Sequence, residues 1–339
     1  MAVFSKVSTS NLEEFLDNYD LGRLSEFEGI REGIENTNYF IYTTTGDYVL
    51  TLFEKLSKTE ASFYLYFMRH LAKKRTPCPL PILSKTGKII LTCKSKPAAI
   101  VSRLEGKIVN DPTSSHCSQI GRALAIAHED ALDFTKSNKN TRGLSWWKRT
   151  IPQLLTYVSA DQNNLLIKEL NHQIDFNDSK LCRSLPKAII HADLFRDNAL
   201  FAKKPLLKDY HSPKTGNYIR SQDELRGIID FYFAGFDSLI FDLAVCMNDW
   251  AIDEKENNYG RFYPNKYEAL LTGYEEVRRL TDSEREAWPV VLRGAAFRFW
   301  ISRLFDWFKP RSAALLNPKN PIQFERILIN RQNEMEQIL

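Results

Sequence analysis

Strand-like alternation crowds into the first hundred residues of this chain, while beyond about residue 113 apolar side chains recur mostly at helical intervals. That division constrains the fold more than any other feature. Between residues 27 and 53 the side chains alternate with period two: Asn36-Thr37-Asn38-Tyr39-Phe40-Ile41-Tyr42, a turn at Thr45-Gly46-Asp47, then Tyr48-Val49-Leu50-Thr51-Leu52-Phe53. Such alternation puts one face on a core and the other toward water, so the two runs predict a β-hairpin. Further on, Ile120, Leu124, Ala127 and His128 fall on one face of a helix starting near Thr113. The expected class is α+β, with a small β-rich lobe over residues 1–104 and a larger, mainly helical lobe over 105–339.

Local signals fill in the two parts. Ser10 with Glu13 has the spacing of a capping box, for an opening helix that should stop near Gly22, and Ser57 with Glu60 repeats it. Phe63, Tyr64, Phe67, Met68 and Leu71 extend the second helix until Pro77 and Pro79 forbid continuation. Short strands are expected at 88–92 and 98–104, and helices near 146–160, 240–253, 264–280, 282–308 and 320–338. Strands return at 187–202 and 226–233, separated by a polar, basic excursion with Pro205, Pro213 and Gly216 that reads as a surface loop or hairpin.

Composition excludes several classes. Of 339 residues, 43% are apolar and 26% charged, which suits a protein with a sizeable core. Forty-six Lys and Arg against 42 Asp and Glu leave a net charge of +4, too small to predict nucleic-acid binding. Five scattered cysteines without a CxxC pair support neither a disulfide framework nor a zinc site, and a reducing cytoplasm fits them best. The N-terminus lacks the apolar core of a signal peptide. The most apolar stretch, 228–245, contains Asp230, Asp237 and Asp242, so no membrane span is expected.

The chemistry concentrates in HADLFRDN at 191–198, directly after the apolar run Ala188-Ile189-Ile190. His191, Asp193, Leu194 and Asn198 match the kinase catalytic loop H-x-D-L-x-x-x-N, in which the aspartate receives a hydroxyl proton and the asparagine holds magnesium. Asp230, in Ile228-Ile229-Asp230-Phe231, stands at the end of an apolar strand, where a second magnesium ligand belongs. Any one of these residues alone reads more simply as a turn or strand terminus. Their co-occurrence reverses that reading.

With Ala192 where protein kinases carry arginine, the loop resembles that of the aminoglycoside phosphotransferase and choline kinase superfamily, commonly HGDLxxxN followed by a strand with IDF. The resemblance spans nearly the whole chain. Within the superfamily the chain is similar to the homoserine kinase family, on GIENTNYF at 33–40, YVLTLFE at 48–54, RGLSWW at 142–147, HADLFRDN, IDFYFAG at 229–235 and FDLAVCMNDW at 241–250. The resemblance implies a two-lobed protein-kinase-like fold and transfer of the ATP γ-phosphate to the side-chain hydroxyl of L-homoserine, with Mg²⁺, in a monomer or homodimer. Other small-alcohol kinases of the superfamily, acting on choline, ethanolamine, methylthioribose or an aminoglycoside, and a non-catalytic pseudokinase remain the alternatives.

The resemblance also assigns roles. Asp193 is the catalytic base or hydroxyl-orienting group, with His191 bracing the loop; Asn198 and Asp230 are the magnesium ligands. Asn36 and Asn38 would face the nucleotide phosphates from the segment 33–40, which lacks a full GxGxxG, while Arg103, Leu104 and Glu105 at the lobe junction would complete the nucleotide site. Thr51 stands where the V-A-I-K pattern puts a phosphate-binding lysine, so either Lys55, Lys58 or an arginine elsewhere substitutes, or the nucleotide phosphates are held mainly by metal and backbone donors. Glu60 would then be no more than the capping partner of Ser57. Asp242 would tie the catalytic loop to the helical lobe. An amino-acid acceptor needs a carboxylate for its ammonium group and a cation for its carboxylate. Asp197 is the expected first and Arg298 or Arg303 the expected second, with Arg196 and Asp249 as alternatives.

Overall fold

The computed structural model describes residues 5–30, 36–203, 223–310 and 318–333. Helix α1 (Thr9–Leu16) is capped by Ser8 rather than Ser10, because Asn11 at the third helical position closes the reciprocal pair of hydrogen bonds with Ser8. Strands β1 (Leu24–Gly29), β2 (Thr37–Thr43) and β3 (Gly46–Leu52) follow, and α2 (Lys58–Ala72) starts at the Ser57–Glu60 capping box. Strands β4 (Leu91–Cys93) and β5 (Lys96–Ser102) complete an antiparallel sheet of order β1-β2-β3-β5-β4. These last two are displaced from 88–92 and 98–104 by a tight turn at Lys94 and Ser95, both with positive φ (47° and 64°). Such turns usually carry Asn or Gly, so nothing in the composition announced this one.

The alternation of the strands sorts their side chains between two cores. Tyr39, Ile41, Leu50, Leu52, Ala98 and Ile100 pack with Leu12, Phe15 and Leu16 of α1. Phe53, Ala99 and Val101 face α2 and join the main core, which continues without a break into the helical part. The C-terminal end of α2 is also fastened there by a hydrogen bond between His70 Nε2 and Asp133 and by ion pairs of Lys74 with Asp133 and Arg75 with Asp130.

The helical part opens with α3 (Ser114–Ala131), capped by Thr113, then α4 (Leu144–Thr150), which ends where Pro152 enters a single 3-10 turn rather than running on to 160. Helices α5 (Ala160–Asp178) and α6 (Lys180–Ser184) were not legible, since the buried positions of α5 are Leu166, Glu169 and Gln173 instead of an apolar stripe. Four short strands come next: β6 (Lys187–Ile190), β7 (Ala199–Lys203), β8 (Asp223–Ile228) and β9 (Gly235–Ser238). β6 pairs with β9 and β7 with β8, both antiparallel. Of the expected strand at 226–233 only 226–228 is extended, as the end of β8; the chain turns at Asp230, whose φ is 66°, into a 3-10 turn over Phe231–Phe233, and β9 begins beyond it at Gly235. The excursion between β7 and β8 lies largely outside the described residues.

Helices α7 (Leu239–Trp250), α8 (Pro264–Glu275), α9 (Asp282–Phe308) and α10 (Ile322–Asn333) complete the chain, α8 ending short of 280. α3 and α8 cross in close contact: a Cβ on Gly121 would lie 2.1 Å from the Leu270 carbonyl oxygen, and one on Gly273 at the same distance from that of Ser118. The result is the expected α+β architecture, an antiparallel sheet in the first part of the chain and mostly helices after it, with β6 and β8 against α3 and β6 and β9 against α7. Among the described residues no helix is long and apolar enough to cross a membrane.

Candidate active site

Strand β6 delivers HADLFRDN into the core, and a buried carboxylate shapes its first turn. Asp242, in the first turn of α7, accepts from the His191 N–H at 2.7 Å and from the Ala192 N–H at 2.8 Å. Behind it, His128 of α3 places Nε2 3.3 Å from the same carboxylate and Nδ1 2.8 Å from the Tyr274 hydroxyl. Burial would raise the Asp242 carboxyl, but His128, the nearby His191 and the backbone donors outweigh it and hold it below the usual carboxylate range. Ala192 is thereby kept in the left-handed region, φ 64°.

The His191 ring links two strands. Its Nδ1 accepts from the Asp193 N–H at 3.2 Å, which leaves Nε2 to donate to the Ile229 carbonyl at 2.9 Å, and Phe231 packs against the ring at 4.6 Å. Burial lowers the pKa of this imidazole, in keeping with that neutral tautomer. The Ile229 N–H donates to the Asn198 carbonyl at 2.9 Å. So the loop's two ends are both tied to the residue before Asp230.

Asp193 lies recessed but not sealed, its side chain 19% exposed. Arg298 of α9, nearly fully buried, donates to Asp193 Oδ1 at 3.2 Å. Asn198 Nδ2 donates to the Asp193 backbone carbonyl at 2.8 Å. Burial drives the Asp193 carboxyl up to about 7; Arg298 opposes the rise, while the charges of Asp230 and Asp197 add to it. Burial likewise pulls Arg298 down to about 10, against the attraction of Asp193, so it stays cationic at neutral pH.

Such a group can accept a hydroxyl proton near neutrality, and the surroundings suit a hard cation. With Nδ2 committed to Asp193, the Asn198 amide is oriented to offer Oδ1 as a ligand. Asp230 adds a carboxylate. Among the described residues no three His, Cys, Asp or Glu side chains converge on a cation site. Asn198 and Asp230 are the residues that could hold a magnesium ion here, which would supply neutralisation of charge on phosphate oxygens.

The remaining expected residues are distributed as follows. Asn38 accepts from the Thr51 hydroxyl at 2.8 Å through Oδ1, so its amide N–H₂ is turned away from Thr51. Asn36 is buried at the start of β2, and residues 33–35 lie outside the described residues. Thr51 is itself buried and also meets the Tyr232 hydroxyl, while Lys55 and Lys58 are exposed. Leu104 lies over β8, where a Cβ on Gly227 would come within 2.7 Å of both Leu104 Cδ1 and the Pro77 carbonyl oxygen. Arg103, however, turns to β2 and β3, over Phe40 at 4.4 Å and paired with Asp47 at 3.3 Å. Glu105 is exposed beside it.

The two other substrate candidates are engaged elsewhere. Asp197 is paired with Lys319 at 2.9 Å. Arg303 donates to Gln323 at 2.5 Å and lies over Phe324, so α10 holds it, whereas Arg298 is joined to Asp193. Arg196 and Asp249 pair with each other at 3.2 Å, and Arg196 also reaches Glu254 at 2.7 Å, pinning the outer end of the loop. Sequence reasoning missed His128 as a site residue, since a histidine on an apolar helix face reads as core and its partner is 114 positions away.

A two-part α+β chain with a loop of this form defines a protein-kinase-like phosphotransferase. The chain belongs to the phosphotransferase enzyme family, which it matches over residues 26–207 and 209–280. It is 45% identical to a homoserine kinase of Paraburkholderia phytofirmans, over 98% of this chain and 96% of that one. It is 42% identical to a homoserine kinase of Polaromonas naphthalenivorans, over 98% of each. Among solved structures it shares its fold with an amicoumacin kinase in complex with AMP-PNP and Ca²⁺ (TM-score 0.66, 15% identity, 98% of this chain and 93% of that one). A spectinomycin phosphotransferase in complex with ADP and spectinomycin is similar (TM-score 0.60, 13% identity, 96% and 100%).

Proposed function

We propose that this chain is an ATP- and Mg²⁺-dependent homoserine kinase, which transfers the γ-phosphoryl group of ATP to the side-chain hydroxyl of L-homoserine and so gives O-phospho-L-homoserine, a step toward threonine. The observation that carries the acceptor is the likeness, at 42–45% identity over 98% of the chain, to proteins that are homoserine kinases. The chemistry is supported by the recessed carboxyl of Asp193, whose pKa near 7 suits a group that orients a hydroxyl and takes its proton.

In this reading the homoserine hydroxyl donates to Asp193. As the new O–P bond forms, the bond from phosphorus to the ADP oxygen breaks and the hydroxyl proton passes to the carboxylate. Asn198 and Asp230 would hold magnesium, which when bound neutralises charge on the phosphate oxygens. His191 fixes the loop through Ile229. Arg298 favours the ionised form of Asp193, against the burial that raises its pKa, and aims it. Asn38, turned outward by Thr51, would donate to phosphate in the absence of a lysine at that position, and the backbone of 103–105, at the junction of lobes 1–104 and 105–339, would border the nucleotide.

The partners are small molecules rather than nucleic acid or membrane. The five unpaired cysteines support residence in the cytoplasm. ADP release with a panel of acceptors tests the function: turnover of L-homoserine above choline, ethanolamine, methylthioribose and aminoglycosides is expected. Silence with homoserine alongside turnover of choline would overturn it.

A further inference from the structure

Two opposite charges stand on the catalytic loop without belonging to its frame. Asp197 accepts from Lys319 Nζ at 2.9 Å, and the same ammonium lies 6.0 Å from the centroid of the Phe195 ring. Both side chains meet water, Asp197 being 49% and Lys319 60% exposed. The pair is close to the reacting carboxyl. Asp197 is the chain neighbour of Asn198, whose amide donates to the Asp193 carbonyl at 2.8 Å and reaches Asp193 Oδ2 at 3.5 Å. The charges of Asp197 and Lys319 are both felt at Asp193, with opposite effect, alongside those of Arg298 and Asp230. Of these four, Arg298 is bonded to Asp193, and Asp230 belongs to magnesium in the reading above. What remains is one anion and one cation, hydrogen-bonded only to each other among the described residues.

The backbone that carries Lys319 is set, while its ammonium is not. Pro318 precedes it and Pro321 follows Asn320, so the chain on both sides of Lys319 is restricted. Arg303 of α9 donates to the Asn320 carbonyl at 3.3 Å and to Gln323 at 2.5 Å, and Asn320 Oδ1 accepts the Ile322 N–H at 3.0 Å. Arg303 therefore holds the turn before α10, and that turn presents Lys319 to the loop. The ion pair itself is easily exchanged. Between side chains this exposed, such a pair shifts an equilibrium by a factor of about five at most.

We infer that Asp197 and Lys319 together receive the zwitterionic end of the acceptor, Asp197 taking its α-ammonium and Lys319 its α-carboxylate, each exchanging its partner in the protein for one on the ligand. The inference rests on the homoserine reading above. It moves the carboxylate role from Arg298, which Asp193 holds, and Arg303, which α10 holds, to Lys319. A zwitterion replaces one ion pair with two and leaves no charge unanswered as water is displaced. An alcohol bearing a single charge separates the pair but answers only half of it. That asymmetry selects amino-acid acceptors over cationic or neutral alcohols.

The test compares L-homoserine with 3-aminopropan-1-ol, which lacks the carboxylate, and 4-hydroxybutanoate, which lacks the ammonium, in wild type, Lys319→Met and Asp197→Asn. The two analogues are read as acceptors or, failing turnover, as competitive inhibitors, at about pH 8, above the titration of Asp193. In each variant kcat/KM for homoserine should fall by about tenfold, the scale of one charged hydrogen bond, through KM rather than kcat. KM for ATP should stay within about twofold, which also reports that the variants are folded. The analogues should divide. Lys319→Met should weaken 4-hydroxybutanoate and bind 3-aminopropan-1-ol as well as wild type or better, since the lysine no longer competes for Asp197; Asp197→Asn should do the reverse. Lys319→Arg should recover part of the loss. An unchanged KM for homoserine in either variant, or equal changes for all three compounds, overturns the inference while leaving the functional reading intact. Failure of the wild type to release ADP with homoserine overturns that reading, and this inference with it.

Discussion

Asp242 holds Ala192 in a left-handed backbone conformation by accepting its N–H at 2.8 Å, at the point where the chain turns from β6 toward Asp193. The same carboxylate accepts from His191 and meets His128. Replacing Asp242 with alanine would strand two buried backbone donors, and should destabilise the protein by about 3 kcal/mol in urea unfolding. The kcat should fall with KM for ATP little changed. Because the folded Asp242 titrates below its unfolded value, its contribution is present above about pH 4 and is lost as pH falls further. Acid unfolding should therefore begin at higher pH in wild type lacking nucleotide than in a variant whose neutral-pH stability did not depend on an ionised Asp242.

Ala192 itself bears the strain of that turn, with φ at 64°. An L-residue pays about 1 kcal/mol for this conformation, and glycine does not. Ala192→Gly should raise the unfolding midpoint in urea while leaving kcat within about twofold of wild type. A lower midpoint would mean that the Ala192 methyl packs to greater effect than the backbone strains.

Asp193 should give the free enzyme an acid limb in kcat/KM for homoserine with an apparent pKa near 7, since its carboxylate form is the active one. Asp193→Asn should lower kcat by about 10²- to 10⁴-fold, yet still be stabilised thermally by MgATP. The linkage runs the other way for stability: a folded pKa raised above the unfolded one favours the protein at low pH, and that gain is lost as pH rises from about 4 toward 7. Without nucleotide, Asp193→Asn should accordingly gain stability relative to wild type between pH 5 and pH 8.

Arg298 opposes the rise in Asp193, from 3.2 Å. Arg298→Met should therefore move the acid limb to higher pH, and Arg298→Lys should move it less. A limb that does not move in either variant would show that the pair is not coupled. The double-mutant cycle with Asp193→Asn isolates the interaction in unfolding free energy.

Asp230→Asn should raise the magnesium concentration needed for half-maximal ADP release, without a large loss of fold, because asparagine tolerates the left-handed backbone at this position. Removing the Asp230 charge should also lower the Asp193 pKa, so the acid limb should shift downward, opposite to the Arg298 variants. Asn198→Ala should share the magnesium effect. Unchanged magnesium dependence in both variants would remove them as ligands.

Residues that act through their neighbours in the chain were legible from the sequence. Ser57 and Glu60 announced α2, Thr113 stood at the start of α3, and the alternation of 36–53 fixed which side chains of β2 and β3 face which core. HADLFRDN pointed to phosphoryl transfer because a loop of fixed length presents Asp193 and Asn198 together, and the resemblance carried by the wider motifs supplied the family. Helix α5 was silent because Glu169 and Gln173 occupy its buried face, where Glu169 is paired with Arg293 of α9. What tertiary structure alone decided is which charges meet. Arg298 reaches Asp193 across 105 residues and His128 reaches Asp242 across 114, while Asp197 is drawn to Lys319 and Arg303 to Gln323. Sequence patterns record the spacing of side chains along one segment. The pairing of charges from different segments depends on which of them share a low-dielectric space, and only the packed chain sets that.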